Sequence, residues 1–455
     1  MKTFAINTVG CKVNQYESQQ IRQLLERLGL NQVETSNNTP DLVVINTCCV
    51  TRTASAKSRQ RIRKAQKLSP DAATVVCGCL PTVQTGELNN LGKNIHLISH
   101  RETIAATLSQ IVNNGKAAAF LQPEQNIIIK AENGSKIKLK NKSAELPQLT
   151  SFKGHTRAFL KIQDGCDGYC SYCIIPKARP YVHSKPAEMV IQEAQALVEA
   201  GHKEIVVTGI FVGAYGQKSV RRKNWDGRQG RLADLLDKMA EIPDLARIRV
   251  SSLEPGDVTP RLLDTFCKHR NIVPHLHLSL QSGSNAVLKK MCRQYNADEF
   301  KEKIELIKSR LDRPAITADI IVGFPGEREA DFEATVELAK EAGFAKMHVF
   351  SFSKRAGTAA AGLQGAVNDK VMKERSRILR DLDAELGHKF RQQFISETAE
   401  ILVENSIGQR KGRSERYFMV YLEEKPGETP QKGELARVKL IKNTANGLIG
   451  QICEF

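Results

Sequence analysis

The chain has 455 residues, enough for about three domains at ~150 residues each and ample to bury a core without disulfide staples. With 41% hydrophobic and 26% charged residues it reads as globular, and no apolar run approaches the ~18 residues of a membrane span, so disordered, membrane-spanning and disulfide-scaffold classes are excluded. The 67 Lys+Arg against 50 Asp+Glu give a net +17 and a pI near 9.4, which points to a polyanionic partner, most simply nucleic acid.

Met1-Lys2 leads into a strand-like run and not into an apolar signal segment. The expectation is a cytoplasmic protein, in which eleven cysteines favour metal binding or catalysis over disulfides. In chain order, a strand is predicted over 3–9 and a helix over 15–28, where Ile21, Leu24, Leu25 and Leu28 recur at helical spacing before Gly29. A continuous apolar strand over 41–46 is of the buried parallel kind. A helix over 54–68 and strands over 74–78 and 94–99 complete a βαβα order, hence a doubly wound α/β domain. Residues 113–151 are polar, with Lys130, Lys136, Lys138, Lys140 and Lys142 set around Asn-Gly-Ser, and read as a linker.

From 155 to 353 the alternation resumes, with strands predicted over 157–163, 204–208, 247–251, 276–280, 316–322 and 346–350. Helices fall between them, as over 186–200 and 328–342. Six such units in about 200 residues suit a partial parallel (β/α)6 barrel better than a closed eight-unit one, which needs ~250. A charged helix follows over 368–394. Four strands over 399–404, 416–422, 434–440 and 447–453, separated by Gly, Pro and Asn turns, predict a small antiparallel β-barrel. The domains expected are therefore 1–112, a linker over 113–151, 152–385 and 386–455.

Cys166, Cys170 and Cys173 stand in GCDGYCSYCIIP, in the loop after the first barrel strand. Ligands at the carboxyl ends of barrel strands read as an active site. Three thiolates on a four-iron cubane leave one iron open to chelate a small molecule. Structural zinc would want a fourth ligand close by, usually at a second C-x-x-C, and none follows. Cys11, Cys48 and Cys79 each follow a predicted strand of the first domain, where ligands collect in doubly wound sheets. Cys49 and Cys77 compete with them, or are small buried apolar residues. Cys267, Cys292 and Cys453 look like ordinary helix or strand residues. Other strand-end residues could place a cofactor: Thr208, Gly209, Glu254, Gln281 and Asp319. Each has a plain alternative, as a turn glycine, a capping carboxylate or a satisfied polar residue.

The spacing C-x-x-x-C-x-x-C with Tyr172 before its last cysteine resembles the signature of radical S-adenosylmethionine (SAM) enzymes. Together, NTVGCKVNQYES, INTC, GC and HTRAFLKIQDGCDGYCSYCIIPKARP are similar to the radical SAM methylthiotransferases. The nearest subgroup acts on N6-threonylcarbamoyladenosine in tRNA. Supporting stretches are EIVVTGIFVGAYG, RVSSLEPGDVTP, HLHLSLQSGSNAVLKKMCRQY, TADIIVGFPGE and HVFSFSKRAGT. The resemblance spans nearly the whole chain and likens the last domain to TRAM, an RNA-binding barrel. It implies two [4Fe-4S] clusters and SAM as cofactors. One cluster would sit on Cys166, Cys170 and Cys173, its open iron holding SAM. SAM would be cleaved by one electron to a 5′-deoxyadenosyl radical that takes hydrogen from carbon 2 of the adenine, a C–H bond too weakly acidic for a general base. The other cluster, on Cys11, Cys48 and Cys79, would present the sulfur, and a second SAM the methyl group.

The implied partners are tRNA at its anticodon stem-loop, a reducing electron donor and a sulfur donor, with no membrane. Alternative substrates are isopentenyladenosine in tRNA or a ribosomal-protein aspartate. An alternative of another class is a non-enzymatic iron–sulfur RNA-binding redox regulator. Basic candidates for RNA are Arg52, Lys57, Arg59, Arg61, Arg63, Lys64 and Lys67 after Cys48, then Arg221, Arg222 and Lys223. A third group, Arg410, Lys411, Arg413 and Arg416, surrounds Tyr417 and Phe418 as a basic groove with aromatic platforms. His155 and Arg157 are either RNA-facing or structural, and His348, near the last strand end, reads equally as a satisfied core histidine.

Overall fold

A computed structural model describes residues 1–34, 39–88, 94–114, 128–130, 136–138, 145–225, 230–405, 408–423 and 430–453. The chain forms two compact units, residues 1–149 and 150–455.

The first unit runs β1 Thr3–Thr8, α1 Lys12–Arg27, β2 Asn31–Gln32, β3 Leu42–Thr47, α2 Arg52–Leu68, β4 Ala73–Gly78, α3 Cys79–Val83, β5 Ile95–Leu97 and α4 Ile104–Asn114. Its five strands form one parallel sheet in the order β2-β1-β3-β4-β5. All six residues of β3 are buried, as a central strand covered on both faces requires. Ile21 and Leu25 of α1 meet Phe4, Leu42, Val44, Val75 and Leu108 in one apolar core. The predicted linker is not featureless: β6 Ile128–Lys130 and β7 Lys136–Lys138 pair antiparallel, while Lys140 and Lys142 lie outside the described residues.

The second unit runs β8 Arg157–Lys161, β9 Gln163–Asp164, α5 Ile175–Ala178, β10 His183–Ser184, α6 Ala187–Glu199, β11 Glu204–Thr208, α7 Arg231–Ala240, β12 Arg247–Val250, α8 Pro260–Lys268, β13 His275–Gln281, α9 Asn285–Lys290, α10 Ala297–Arg310, β14 Ala315–Val322, α11 Glu329–Ala342 and β15 Lys346–Ser351. The six long strands are all parallel and form two three-stranded sheets, β12-β11-β8 and β13-β14-β15. Parallel bridges Ile248–Ile272 and Leu253–Leu278 join the two at their shared edge. The result is the open (β/α)6 arrangement predicted. Leu276, Leu278 and Leu280 are fully buried on the helix side of β13, so alternate residues face the barrel interior.

α12 Asp369–Gln392, capped by the Asn368 side chain, leads to a closed five-stranded barrel. Its strands are β16 Thr398–Asn405, β17 Lys411–Ser414, β18 Met419–Leu422, β19 Leu435–Thr444 and β20 Gly447–Ile452. Four strands were expected here and five are present. The predicted strand over 416–422 starts only at Met419, because a turn closes from Ser414 to Phe418 with Tyr417 at φ +71°. One pair, β18–β20, is parallel and the others are antiparallel.

Candidate metal and cofactor sites

In the first unit β1, β3 and β4 lie side by side and parallel, so the loops that follow them emerge on one edge. Cys11, Cys48 and Cys79 open those loops. Side chains and close backbone approach tie the loops together. Asn14 Nδ2 donates to Val9 O (3.2 Å) and Thr47 O (2.8 Å), while Asn14 Oδ1 accepts from the Cys11 thiol (3.3 Å). Thr47 Oγ1 donates to Cys77 O (2.6 Å) and accepts from Leu80 N (3.2 Å). Gly78, at φ +93°, lies so close to β3 that a Cβ would meet Thr47 O at 2.4 Å. Arg101 Nη2 donates to the Cys79 sulfur at 3.1 Å.

The two competing thiols are placed differently. Cys77 sits in the apolar core with Phe4, Ile21 and Val75, and burial pushes its thiol up to about 12. Cys49 is fully buried and donates to Cys79 O.

In the second unit the loop bearing Cys166, Cys170 and Cys173 leaves β9 and returns through β10, which pairs with β9 antiparallel. Asp164 accepts both Arg179 (2.7 and 2.8 Å) and Lys161 (2.7 Å) at its base. Each sulfur receives one N–H: Gly168 N to Cys166 (3.3 Å), Arg293 Nη1 to Cys170 (2.8 Å) and Ile175 N to Cys173 (3.5 Å). Such donors favour thiolate over thiol. Burial pushes the free thiols of Cys166 and Cys173 up to about 12, so metal loading there has to release protons.

Among the described residues, only His277, Asp319 and His348 bring three ligand atoms within 4.8 Å of one another.

Sequence reading missed the residues that hold the barrel loop. Asp167 accepts Ser219 Oγ (2.7 Å) and Val220 N (2.8 Å), and Arg221 Nε donates to Asp167 O (2.7 Å). Ser171 donates to Met291 O and Lys290 O on the other side. Arg293 is the main omission: it touches the Cys170 sulfur, Tyr172 Oη (3.3 Å) and Glu254. Burial opposes its charge, but Tyr295, Tyr172, Cys170 and Glu254 hold it firmly protonated. Its only sequence signal was its place in MCRQY, just after α9.

Gly165 carries a sharp test of this loop. Its φ is +79° and a Cβ would lie 1.7 Å from Tyr181 O. Gly165→Ala combines a left-handed backbone with a clash against main chain, roughly 2–5 kcal/mol in all. The expected result is loss of the iron bound by the second unit with iron on the first unit retained; full iron loading of the variant would contradict the geometry.

Of the other predicted site residues, Thr208 is buried at the end of β11 beside Ser251 Oγ (3.4 Å). Gly209 packs against Gln163, whose O a Cβ would meet at 3.0 Å. Gln281 ends β13 at φ +66° next to a bulge at Ser279, a strained non-glycine backbone of the kind concentrated at functional sites. Glu254 is held between Arg293 and Arg222 (3.0 Å). Asp319 pairs with His277 at 3.2 Å.

Several RNA candidates are spent internally. Tyr417 stacks on His275 at 4.3 Å and lies under Arg249 and Arg413, and Phe418 belongs to the core of the small barrel. They are not open platforms, because the turn they occupy is inserted against the strand starts of the (β/α)6 barrel. Arg416 binds Asp312 and Glu415, Arg413 binds Glu404, and Arg222 binds Glu254 and Asp257. Arg157 binds Glu204 and Glu404. By contrast Lys57, Arg61, Arg63, Lys64 and Lys67 are exposed on α2, a helix with no acidic residue.

Residues 160–339 match the radical SAM superfamily, and residues 3–99 match uncharacterized protein family UPF0004. The fold is shared with the radical SAM methyltransferase TsrM from Kitasatospora setae, at 14% identity and TM-score 0.53 over 77% of this chain and 73% of that one. Fold and cysteine loop together define a radical SAM protein with an additional N-terminal α/β domain. Threonylcarbamoyladenosine tRNA methylthiotransferase MtaB of Bacillus subtilis (strain 168) is 36% identical over 449 residues, 97% of this chain and 94% of the relative. The Chlamydia pneumoniae protein of the same name is 35% identical over 99% and 98%. A tRNA-2-methylthio-N(6)-dimethylallyladenosine synthase of Staphylococcus aureus (strain Newman) is 34% identical over 85% and 72%. The chain belongs to the radical SAM tRNA methylthiotransferase family. No described helix is long and apolar enough to cross a membrane.

Proposed function

We infer that this protein is an enzyme that converts N6-threonylcarbamoyladenosine in tRNA to its 2-methylthio derivative. Similarity over almost the full length to relatives named for that activity carries the reading. Its cofactors are two [4Fe-4S] clusters and SAM, and when bound they supply the radical and sulfur chemistry that no side chain of the protein could perform.

Cys166, Cys170 and Cys173 are proposed as ligands of the SAM-binding cluster, and Cys11, Cys48 and Cys79 as ligands of the second. Two features support these sets: soft donors at strand ends, and N–H donors on the sulfurs of Cys79, Cys166, Cys170 and Cys173. The place of Cys77 in the apolar core favours a packing role for it over ligation. Thr208, Gly209 and Gln281 form the SAM-facing strand ends. Glu254 serves that site at one remove by fixing Arg293. The working domains are 1–112, 152–385 and 386–455 with a linker at 113–151. The substrate is the anticodon stem-loop, whose bases can be splayed out for chemistry, and the exposed basic face of α2 contributes phosphate contacts. A reducing electron donor and a sulfur donor complete the cycle, in the cytoplasm.

Nucleoside mass spectrometry of tRNA from a strain lacking the gene tests the reading. The methylthio-threonylcarbamoyl signal should vanish. Loss of a methylthio-isopentenyl signal instead, with the first intact, would overturn the substrate.

A further inference from the structure

The interior face of the second three-stranded sheet carries a polar group outside both proposed cysteine ligand sets. Cross-strand register sets Ser279, Asp319 and His348 side by side on β13, β14 and β15, with His277 and Thr317 one pair earlier. The other faces of these strands pack outward: Leu276, Leu278 and Leu280 are fully buried on β13, and Met347 on β15 is held by Asp383 of α12. His277, Asp319 and His348 are each only partly buried.

Their hydrogen bonding is unevenly shared. His277 is committed: Nδ1 meets Thr317 Oγ1 at 2.8 Å and Nε2 meets Asp319 Oδ2 at 3.2 Å. Thr317 Oγ1 is held in turn by His275 Nε2 at 3.2 Å. Asp319 is thus held through one oxygen, which leaves the other for a ligand. The His348 ring lies 5.5 Å from that of His277. Burial, with His277 and Lys346 nearby, outweighs Asp319 and Asp383 and lowers its pKa, so the ring is neutral near pH 7. A neutral imidazole offers one donor and one acceptor. Two residues further along the same face, toward the carboxyl end of β15, Phe350 leaves 46% of its surface exposed. A ring so placed suits a planar base.

We propose that His348 and Asp319, with His277 as their brace, form the subsite that reads the polar substituent on the target adenine, with the adenine itself lying toward Phe350. This deepens the functional reading above and rests on it. A threonylcarbamoyl group carries ureido N–H and hydroxyl donors for Asp319 and acceptors for the His348 N–H. A dimethylallyl group offers none, and would leave a carboxylate oxygen and an imidazole desolvated and unpaired. Sites built around hydrogen bonds reject analogues lacking them far more strongly than apolar pockets reject an added group.

The test uses the full-length reconstituted protein and two anticodon stem-loop RNAs, one bearing threonylcarbamoyladenosine and one dimethylallyladenosine. Affinity is measured without turnover, together with SAM binding. Wild type should prefer the first RNA by at least about tenfold. In His348→Leu and Asp319→Asn the preference should fall to within about threefold with affinity for the dimethylallyl RNA unchanged, and in His348→Leu affinity for SAM should be unchanged as well. His348→Gln, which keeps a donor and an acceptor, should restore most of it. A preference intact in both variants overturns the subsite, as does equal loss of both RNAs or weakened SAM binding in His348→Leu. One equivalent of a non-iron metal lost in the variants would make the group a metal site and also overturn it. A wild-type preference for the dimethylallyl RNA would overturn the substrate reading itself.

Discussion

Replacing Cys170 by alanine is expected to reduce SAM cleavage to background and to remove about four of about eight iron atoms per chain. The residue lies between the other two cysteines of its loop in sequence and takes the Arg293 hydrogen bond. Without it two thiols remain, and a four-iron cluster with an open site needs three. Iron on Cys11, Cys48 and Cys79 should survive, because those residues are held by their own loops through Asn14, Thr47 and Gly78. Iron analysis and the electron paramagnetic spectrum of the reduced variant check this directly. Unchanged iron, or SAM cleavage near the wild-type rate, would remove Cys170 from the ligand set. Arg293→Leu makes a useful contrast. It deletes a partner of the ligand and not the ligand, an effect of about 10- to 100-fold on affinity or activity. Most iron should remain, with an altered spectrum confined to the cluster of the second unit.

How far such a site can be read from sequence depends on which physical rule does the work. The placement of both cysteine trios after strands was legible because each follows a predicted strand, and strand ends are where parallel sheets collect ligands. All six barrel strands were legible because short apolar or alternating runs bounded by helical patterns admit few alternatives. The turn at Ser414–Phe418 was not. Its Arg-Tyr-Phe reads as a strand by composition, but Tyr417 takes a left-handed backbone so that its ring reaches His275 and Arg249. That choice is made by residues far away in sequence. Charge was misleading in a similar way. Counting arginines located basic segments, but counting cannot tell a solvated guanidinium from one already paired. Arg222, Arg413 and Arg416 proved to be paired with carboxylates inside the unit, whereas the exposed basic face of α2 has no acid of its own helix to neutralise it.

The strongest case of internal pairing yields the second large effect. Glu204, wholly buried at the start of β11, faces Arg249 at 2.8 Å, Arg247 at 3.7 Å and Arg157 at 3.9 Å. Those arginines also reach the small barrel: Arg249 donates to Ser414 O and Glu415 O, Arg247 pairs with Glu400, and Arg157 with Glu404. One carboxylate thus neutralises the charge cluster on which the two barrels are joined. Glu204→Ala leaves buried guanidinium groups without their shared anion, a loss of roughly 3–5 kcal/mol. Melting of the second unit should drop by on the order of 10 °C, and the small barrel should become open to proteolysis at its junction with α12. Glu204→Gln keeps an acceptor for Arg249 and should lose less. Burial raises the Glu204 pKa, but the three arginines outweigh it and the carboxyl stays below its ordinary value. A lowered folded-state pKa means that this contribution is complete above the unfolded value of about 4.3 and is lost as pH falls through the folded one. The gap in melting temperature between wild type and Glu204→Ala should therefore be flat from neutral pH down to about 5 and close only in stronger acid. A gap that shrinks between pH 7 and 6, or an alanine variant that melts with wild type, would show that the junction does not depend on this carboxylate.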